Sequence, residues 1–154
     1  MNVIAGAKHI SQCNLLRNDN IVRTFLDWEK YPDDRTLARL FEKFTHKHCI
    51  ELSEVEGNIR NQVWSIKWFG RITLDMDSTV KGVYGNQEGA EKGYNSRKKG
   101  QKSYHPLLCF IAETRECLHN WLRPGSTNTS NGSVQFAQEC FSKTPIRVWK
   151  IFVR

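Results

Sequence analysis

The chain has no apolar run approaching the length of a membrane span, and its N-terminus carries no signal-peptide pattern. Neither a secreted nor a membrane-spanning protein is expected. The five cysteines, Cys13, Cys49, Cys109, Cys117 and Cys140, form no CxxC pair and show no His/Cys ligand spacing. An odd count of scattered thiols suits a reducing cytoplasm and reads as small buried hydrophobes. Acids are scarce in one half only. Residues 1–80 hold 11 Lys/Arg and 11 Asp/Glu, whereas residues 81–154 hold 12 and 5, so the whole net charge of +7 lies in the second half. A basic excess confined to one half points to a polyanionic partner rather than to general solubility. Aromatic side chains are not lacking: 5 Trp, 4 Tyr and 8 Phe in 154 residues exclude a disordered composition and allow one domain with a real core.

Residues 1–12 carry no pattern. From 13 to 30 the apolar residues Leu15, Leu16, Ile21, Val22, Phe25, Leu26 and Trp28 recur at three- and four-residue steps around a polar break at 17–20, predicting two short helices. Pro32 ends that segment, and Asp33 or Asp34 is placed to cap the next helix. Residues 36–45 put Leu37, Leu40, Phe41 and Phe44 on one helical face, and a third helix is expected over 46–69, with Gly57 inside it and Gly70 as its C-terminal cap. The same segment admits a helix-turn-helix DNA reader. Its electrical neutrality weighs against that, because phosphate contact brings a local cationic excess. His46 and His48 diverge on a helix and make a poor metal pair.

Residues 71–80, RITLDMDSTV, alternate Ile72, Leu74 and Met76 with Thr73, Asp75 and Asp77, the pattern of a strand with both aspartates on one side. Aspartate is depleted in strands and costly to bury unpaired. The pair therefore asks for a partner: a divalent cation, or else water or an arginine at a strand end. Residues 85–101 form a long loop with Gly85, Asn86, Gly89, Gly93 and Asn95 at turn positions. Between Glu91 and Lys102 stand Lys92, Arg97, Lys98, Lys99 and Lys102, a local +4. Glycines let a backbone approach a phosphate chain, and Tyr94 and Tyr104 offer stacking surfaces, so DNA contact is favoured over a solvated charged loop. Residues 104–112 and 117–122 read as two further strands around a turn at 113–116. A helix capped by Ser130 or Asn131 then runs to Ser142 with Val134, Phe136, Ala137 and Phe141 inward, and after Pro145 a fourth strand covers 146–153. His105 reads as a packed strand-end residue.

A run of motifs ties these pieces together: Leu74-Asp75-Met76-Asp77-Ser78, then 85–95 (GNQEGAEKGYN), Lys98-Lys99-Gly100, 104–108 (YHPLL) and Leu122-Arg123-Pro124-Gly125. In this order they resemble the bacterial insertion-sequence transposases of the DDE class, transposase DDE domain group 1, over about residues 15–154. The resemblance implies an RNase H-like core. The expected fold is α+β, or α/β: a helical N-terminal region (1–70), then the first four strands and the crossover helix of a mixed sheet (71–154). The first three strands form an antiparallel meander and the fourth runs parallel to the first.

The resemblance also implies chemistry. Asp77, followed by Ser78-Thr79, stands where the first catalytic and metal-binding carboxylate is expected, with Asp75 beside it. The cofactor would be Mg²⁺ or Mn²⁺, acting in two-metal phosphodiester cleavage and strand transfer on insertion-sequence ends. Lys92, Arg97, Lys98, Lys99, Lys102, Tyr94 and Arg123 are the expected DNA contacts; for Arg123 a turn-anchoring salt bridge is the alternative. Arg154 aligns with the arginine just before the family's second aspartate. The sequence thus reads as an N-terminal fragment that lacks the second Asp and the Glu and is inactive alone. The other function considered is a non-catalytic DNA-binding module that competes or associates with a full-length transposase, or dimerises. No membrane partner is implied.

Overall fold

The computed structural model describes residues 6–66, 69–96, 98–144 and 147–154. Arg97 and Pro145, named above, lie outside the described residues, as do residues 67, 68 and 146, which fall in the ranges expected for the third helix and the fourth strand. The chain divides into two compact units, Met1–Glu56 and Gly57–Arg154.

The first unit is helical. A 3-10 turn (Ile10–Gln12) leads into α1 (Cys13–Arg17) and α2 (Asn20–Phe25), separated by the expected polar break. Asp19 caps α2 by accepting from the Ile21 and Val22 N–H groups. Asp33 caps α3 (Asp34–Glu42), accepting from the Thr36 N–H at 2.7 Å. Hydrogen bonds from the Thr36 side chain and N–H favour the charged form and hold the Asp33 carboxyl below its ordinary value. The helical periodicity is real, but the apolar face is only partly covered: Leu40 is 49% and Phe41 53% exposed. A unit this small buries a lesser share of its surface, and among its described residues only Cys13 and Tyr31 are buried. Helix α4 (His46–Ser65) contains Gly57 without a break. No helix among the described residues is long and apolar enough to cross a membrane.

The second unit carries β1 (Phe69–Ser78), β2 (Lys81–Gly82), β3 (Glu91–Lys92), β4 (Lys102–Tyr104), β5 (Leu107–Ile111), β6 (Glu116–Trp121), α5 (Ser133–Ser142) and β7 (Val148–Val153). Four strands form a mixed sheet in the order β6-β5-β1-β7. β1 pairs antiparallel with β5 and parallel with β7, as the meander and crossover predict. Ile72 and Leu74 of β1 meet Cys109, Ile111, Leu118, Phe136, Cys140 and Trp64 in one core. Cys13, Cys109 and Cys140 are buried as expected of small hydrophobes, but Cys49 is exposed.

Four expectations need correction. Gly70 is not a helix cap but lies inside β1. The stretch 104–112 is two strands, broken at His105-Pro106, where the proline has no N–H for a ladder. The segment 85–101 is not a free loop, because β2, β4 and β3 form a second, three-stranded sheet across it. The cap of α5 is Gly132, in left-handed conformation at φ 75°, since Ser130 is engaged with Asn128 in the preceding turn. Within α5, Phe136 and Cys140 point inward, whereas Val134 is 72% exposed.

Candidate functional site

Alternation along β1 puts Ile72 and Leu74 into the core and leaves Thr73, Asp75 and Asp77 on the opposite face. The register sets Asp75 beside Phe110 and Asp77 beside Leu108. The two carboxylates have different surroundings. Asp75 is gripped by Arg154, whose Nε and Nη2 donate to its two oxygens at 2.8 and 2.7 Å. Arg154 extends the parallel ladder beyond β7, donating its N–H to the Leu74 carbonyl and accepting from the Met76 N–H, both at 2.9 Å. The hydrogen bonds that Arg154 donates to Asp75, and the charge of that carboxylate, hold the guanidinium protonated to higher pH than usual. Asp77 is exposed, and its Oδ1 accepts from the Ser78 N–H at 2.7 Å. Among the described residues no hydrogen bond or ion pair reaches its other oxygen.

A third acid reaches the same strand. Glu113 accepts from the Thr73 N–H and the Thr73 hydroxyl, each at 2.9 Å, and so takes the place of a ladder carbonyl where β5 turns away. Desolvation opposes its charge, but those hydrogen bonds outweigh it and hold the carboxyl below the usual range. Glu113 and Asp75 are thus committed to protein partners. Among the described residues no group of three or more His, Cys, Asp or Glu side chains is arranged to hold a metal ion. Hydrated Mg²⁺ needs few protein ligands, often one or two carboxylates. The donor set fits one such contact at Asp77; it does not fit a bridged pair of ions.

The motif glycines have a structural explanation. A Cβ on Gly93 would overlap the carbonyl of Gly125, and one on Gly125 would overlap the carbonyls of Glu91 and Ser103. The KGYN and LRPG motifs therefore interlock backbone to backbone, and the Ser126 hydroxyl donates to the Glu91 carboxylate across the same joint. Arg123 lies beside it and is not a surface contact. It is 6% exposed; its Nε donates to the His105 carbonyl at 3.0 Å and its Nη1 to the Asn131 carbonyl at 2.8 Å, with longer bonds to Asn128 and Thr129. Desolvation lowers its pKa. Arg123 thus turns to backbone carbonyls of the 124–132 loop rather than to the surface, and the partners found are carbonyls rather than the carboxylate of a salt bridge.

The second sheet presents the basic residues. Lys92 of β3 stands directly opposite Lys102 of β4. Lys102 donates to Asn86 at 3.0 Å. Lys98 donates to the Tyr84 hydroxyl at 2.6 Å, with its ammonium 5.2 Å from the centre of that ring. The bond from Lys98 and its charge lower the Tyr84 phenol below its ordinary pKa. Lys99 is exposed, as are Tyr84 at 75% and Tyr94 at 80%. Sequence reasoning passed over Tyr84 and Lys81. Lys81 of β2 pairs with Tyr104 of β4, and Tyr84 lies just beyond β2.

No curated protein and no solved structure matches the chain. Over residues 1–153 it matches the family described as transposase DDE domain group 1, and the chain, with its acidic strand and its basic second sheet, belongs to that family of DNA transposition.

Proposed function

We propose that these 154 residues supply a DNA-backbone surface and the first acidic contact of a transposase. One observation carries the reading: Lys92 and Lys102 occupy directly opposed positions on a two-stranded ladder, with Lys98 and Lys99 close by in sequence. Like charges directly opposite destabilise a sheet, and a phosphate chain relieves that repulsion. The partner is DNA at insertion-sequence ends, and Arg97 belongs to the same cationic run. Tyr94 is an exposed ring available for stacking. Residues 71–154 carry this surface; the first 80 residues have no net charge, and no phosphate contact is assigned to residues 1–70. With five free thiols and a DNA substrate, the bacterial cytoplasm is the compartment proposed.

Asp77 is the carboxylate assigned to the cation, Mg²⁺ or Mn²⁺. Asp75 is assigned to Arg154 and acts as a clamp between β1 and the end of β7. When bound, the metal supplies Lewis-acid activation of water or a 3′-OH for phosphodiester cleavage and joining. This chain's residues contribute one free carboxylate oxygen and a cationic surface. The 154 residues alone are not expected to cut or join DNA, because among the described residues no group of three acids is arranged to hold a pair of ions.

The commitment of Asp75 to Arg154 also supports a second reading. In it, the chain is a non-catalytic DNA-binding module that competes or associates with a full-length transposase, or with itself as a dimer. A cleavage and strand-transfer assay with purified protein, Mn²⁺ and element-end DNA tests the chemistry. No nicking is expected. Metal-dependent nicking that disappears in Asp77→Ala would show that the chain completes its own site.

A further inference from the structure

The motifs at Asp77, His105 and Arg123 are joined by one chain of hydrogen bonds. His105 is 7% exposed and sits between β4 and β5. Its Nδ1 lies 2.8 Å from the carbonyl oxygen of Thr127. A carbonyl only accepts, so Nδ1 carries a proton. In the neutral ring Nε2 then presents a lone pair, and the Ser78 hydroxyl, 3.1 Å away, donates to it. The Ser78 N–H in turn donates to Asp77 Oδ1 at 2.7 Å. The support behind His105 is firm. Its N–H donates to the Arg123 carbonyl at 2.8 Å, Arg123 Nε returns a bond to the His105 carbonyl at 3.0 Å, and Arg123 gathers the carbonyls of Asn128, Thr129 and Asn131.

The β1–β5 ladder ends at Ser78 opposite Leu107. Beyond it the strand end is held by the Thr79 N–H on the Pro106 carbonyl at 3.1 Å and by the His105–Ser78 bond. Asp77 itself is exposed, with one oxygen fixed by a backbone N–H whose direction is set at Ser78. We infer that His105 is a positioning residue for the Asp77 carboxylate, acting through Ser78 and backed by the loop that Arg123 organises. The inference rests on reading Asp77 as the carboxylate that meets a divalent cation. Groups that orient a metal ligand without touching the metal typically govern about 10–100-fold of its affinity.

Mn²⁺ is the probe. Its binding to the 154-residue protein is read from paramagnetic broadening of amide signals around Asp77. Ser78→Ala and His105→Phe should each weaken binding about tenfold, the low end of the range for such orienting groups. Ser78→Thr keeps the hydroxyl and should bind as wild type. Imidazole ¹⁵N spectra should show the proton on Nδ1, and Ser78→Ala should move the Nε2 signal. Should the thermal midpoint of His105→Phe collapse, Ser78→Ala carries the test, since it removes only the hydroxyl. Wild-type affinity in Ser78→Ala, an unmoved Nε2 signal, or a Ser78→Thr protein as weak as Ser78→Ala overturns the inference. Asp77→Asn separates this from the reading beneath it. If Asp77→Asn leaves the broadening in place, the metal reading itself falls. If it abolishes broadening while Ser78→Ala and His105→Phe bind normally, only the positioning role falls. A wild-type protein that shows no broadening removes both.

Discussion

The most direct test of the DNA surface removes the lysines that the second sheet and its turn present. Lys92 and Lys102 face each other across β3 and β4, and Lys98 and Lys99 sit in the turn that leads into β4. Replacing all four with alanine leaves the β1–β5 core untouched, because none of them belongs to it. Each phosphate contact on duplex DNA contributes about 0.9 to the slope of log affinity against log salt, so losing four flattens it by about 3.6. Raising salt from about 50 to about 200 mM would cost those four contacts about 150-fold in affinity, a loss the variant escapes while binding more weakly at low salt. The assay is fluorescence anisotropy with a labelled duplex across that salt range, repeated with an unrelated duplex. Phosphate contacts carry no sequence information, so both duplexes should lose affinity alike. A variant Lys8→Ala/Lys47→Ala, drawn from the electrically neutral half, should keep the wild-type slope. An unchanged slope and unchanged low-salt affinity in the quadruple variant would refute the assignment and return these lysines to ordinary solvated surface.

Other expectations concern the joints around the site. Arg123→Met should cost about 2–3 kcal/mol in thermal or urea unfolding, since it strips a buried charged donor from four backbone carbonyls. Its low-salt DNA affinity should stay within about twofold of wild type while folded, because removing an anchor deletes no phosphate contact. Gly125→Ala should destabilise by about 1–3 kcal/mol, as an added methyl must displace the carbonyls of Glu91 and Ser103. Glu113 has its folded-state pKa lowered, so its stabilisation is full above its ordinary value near 4.5 and is lost as pH falls through the lower folded value. Acid titration of unfolding free energy should therefore be shallower below pH 4.5 in Glu113→Gln than in wild type. Asp75→Asn should loosen Arg154, seen as faster hydrogen exchange at the Met76 amide, which donates to the Arg154 carbonyl.

The sequence by itself determined what local physics can determine. Alternation over 71–80 put both aspartates on one side of β1, because strand side chains repeat every two residues. Asp33 or Asp34 after Pro32 marked the start of α3, because a carboxylate there meets unsatisfied N–H groups, and the structure selects Asp33. The meander followed by a crossover helix made the fourth strand parallel to the first, because a helical crossover returns the chain to the end of the sheet from which the preceding strand started. The lopsided charge placed the whole basic excess in the second half. Tertiary structure decided the rest. The second sheet is made of two- and three-residue strands, too short to show a period. Whether Arg123 faced phosphate or backbone depended on the closure of a loop around it, and the pairing of Gly93 with Gly125 on contact between segments far apart in sequence. Above all, Asp75 and Asp77 are indistinguishable in the pattern. They differ because Arg154, 79 positions along the chain, lands beside one of them when β7 docks in parallel register on β1.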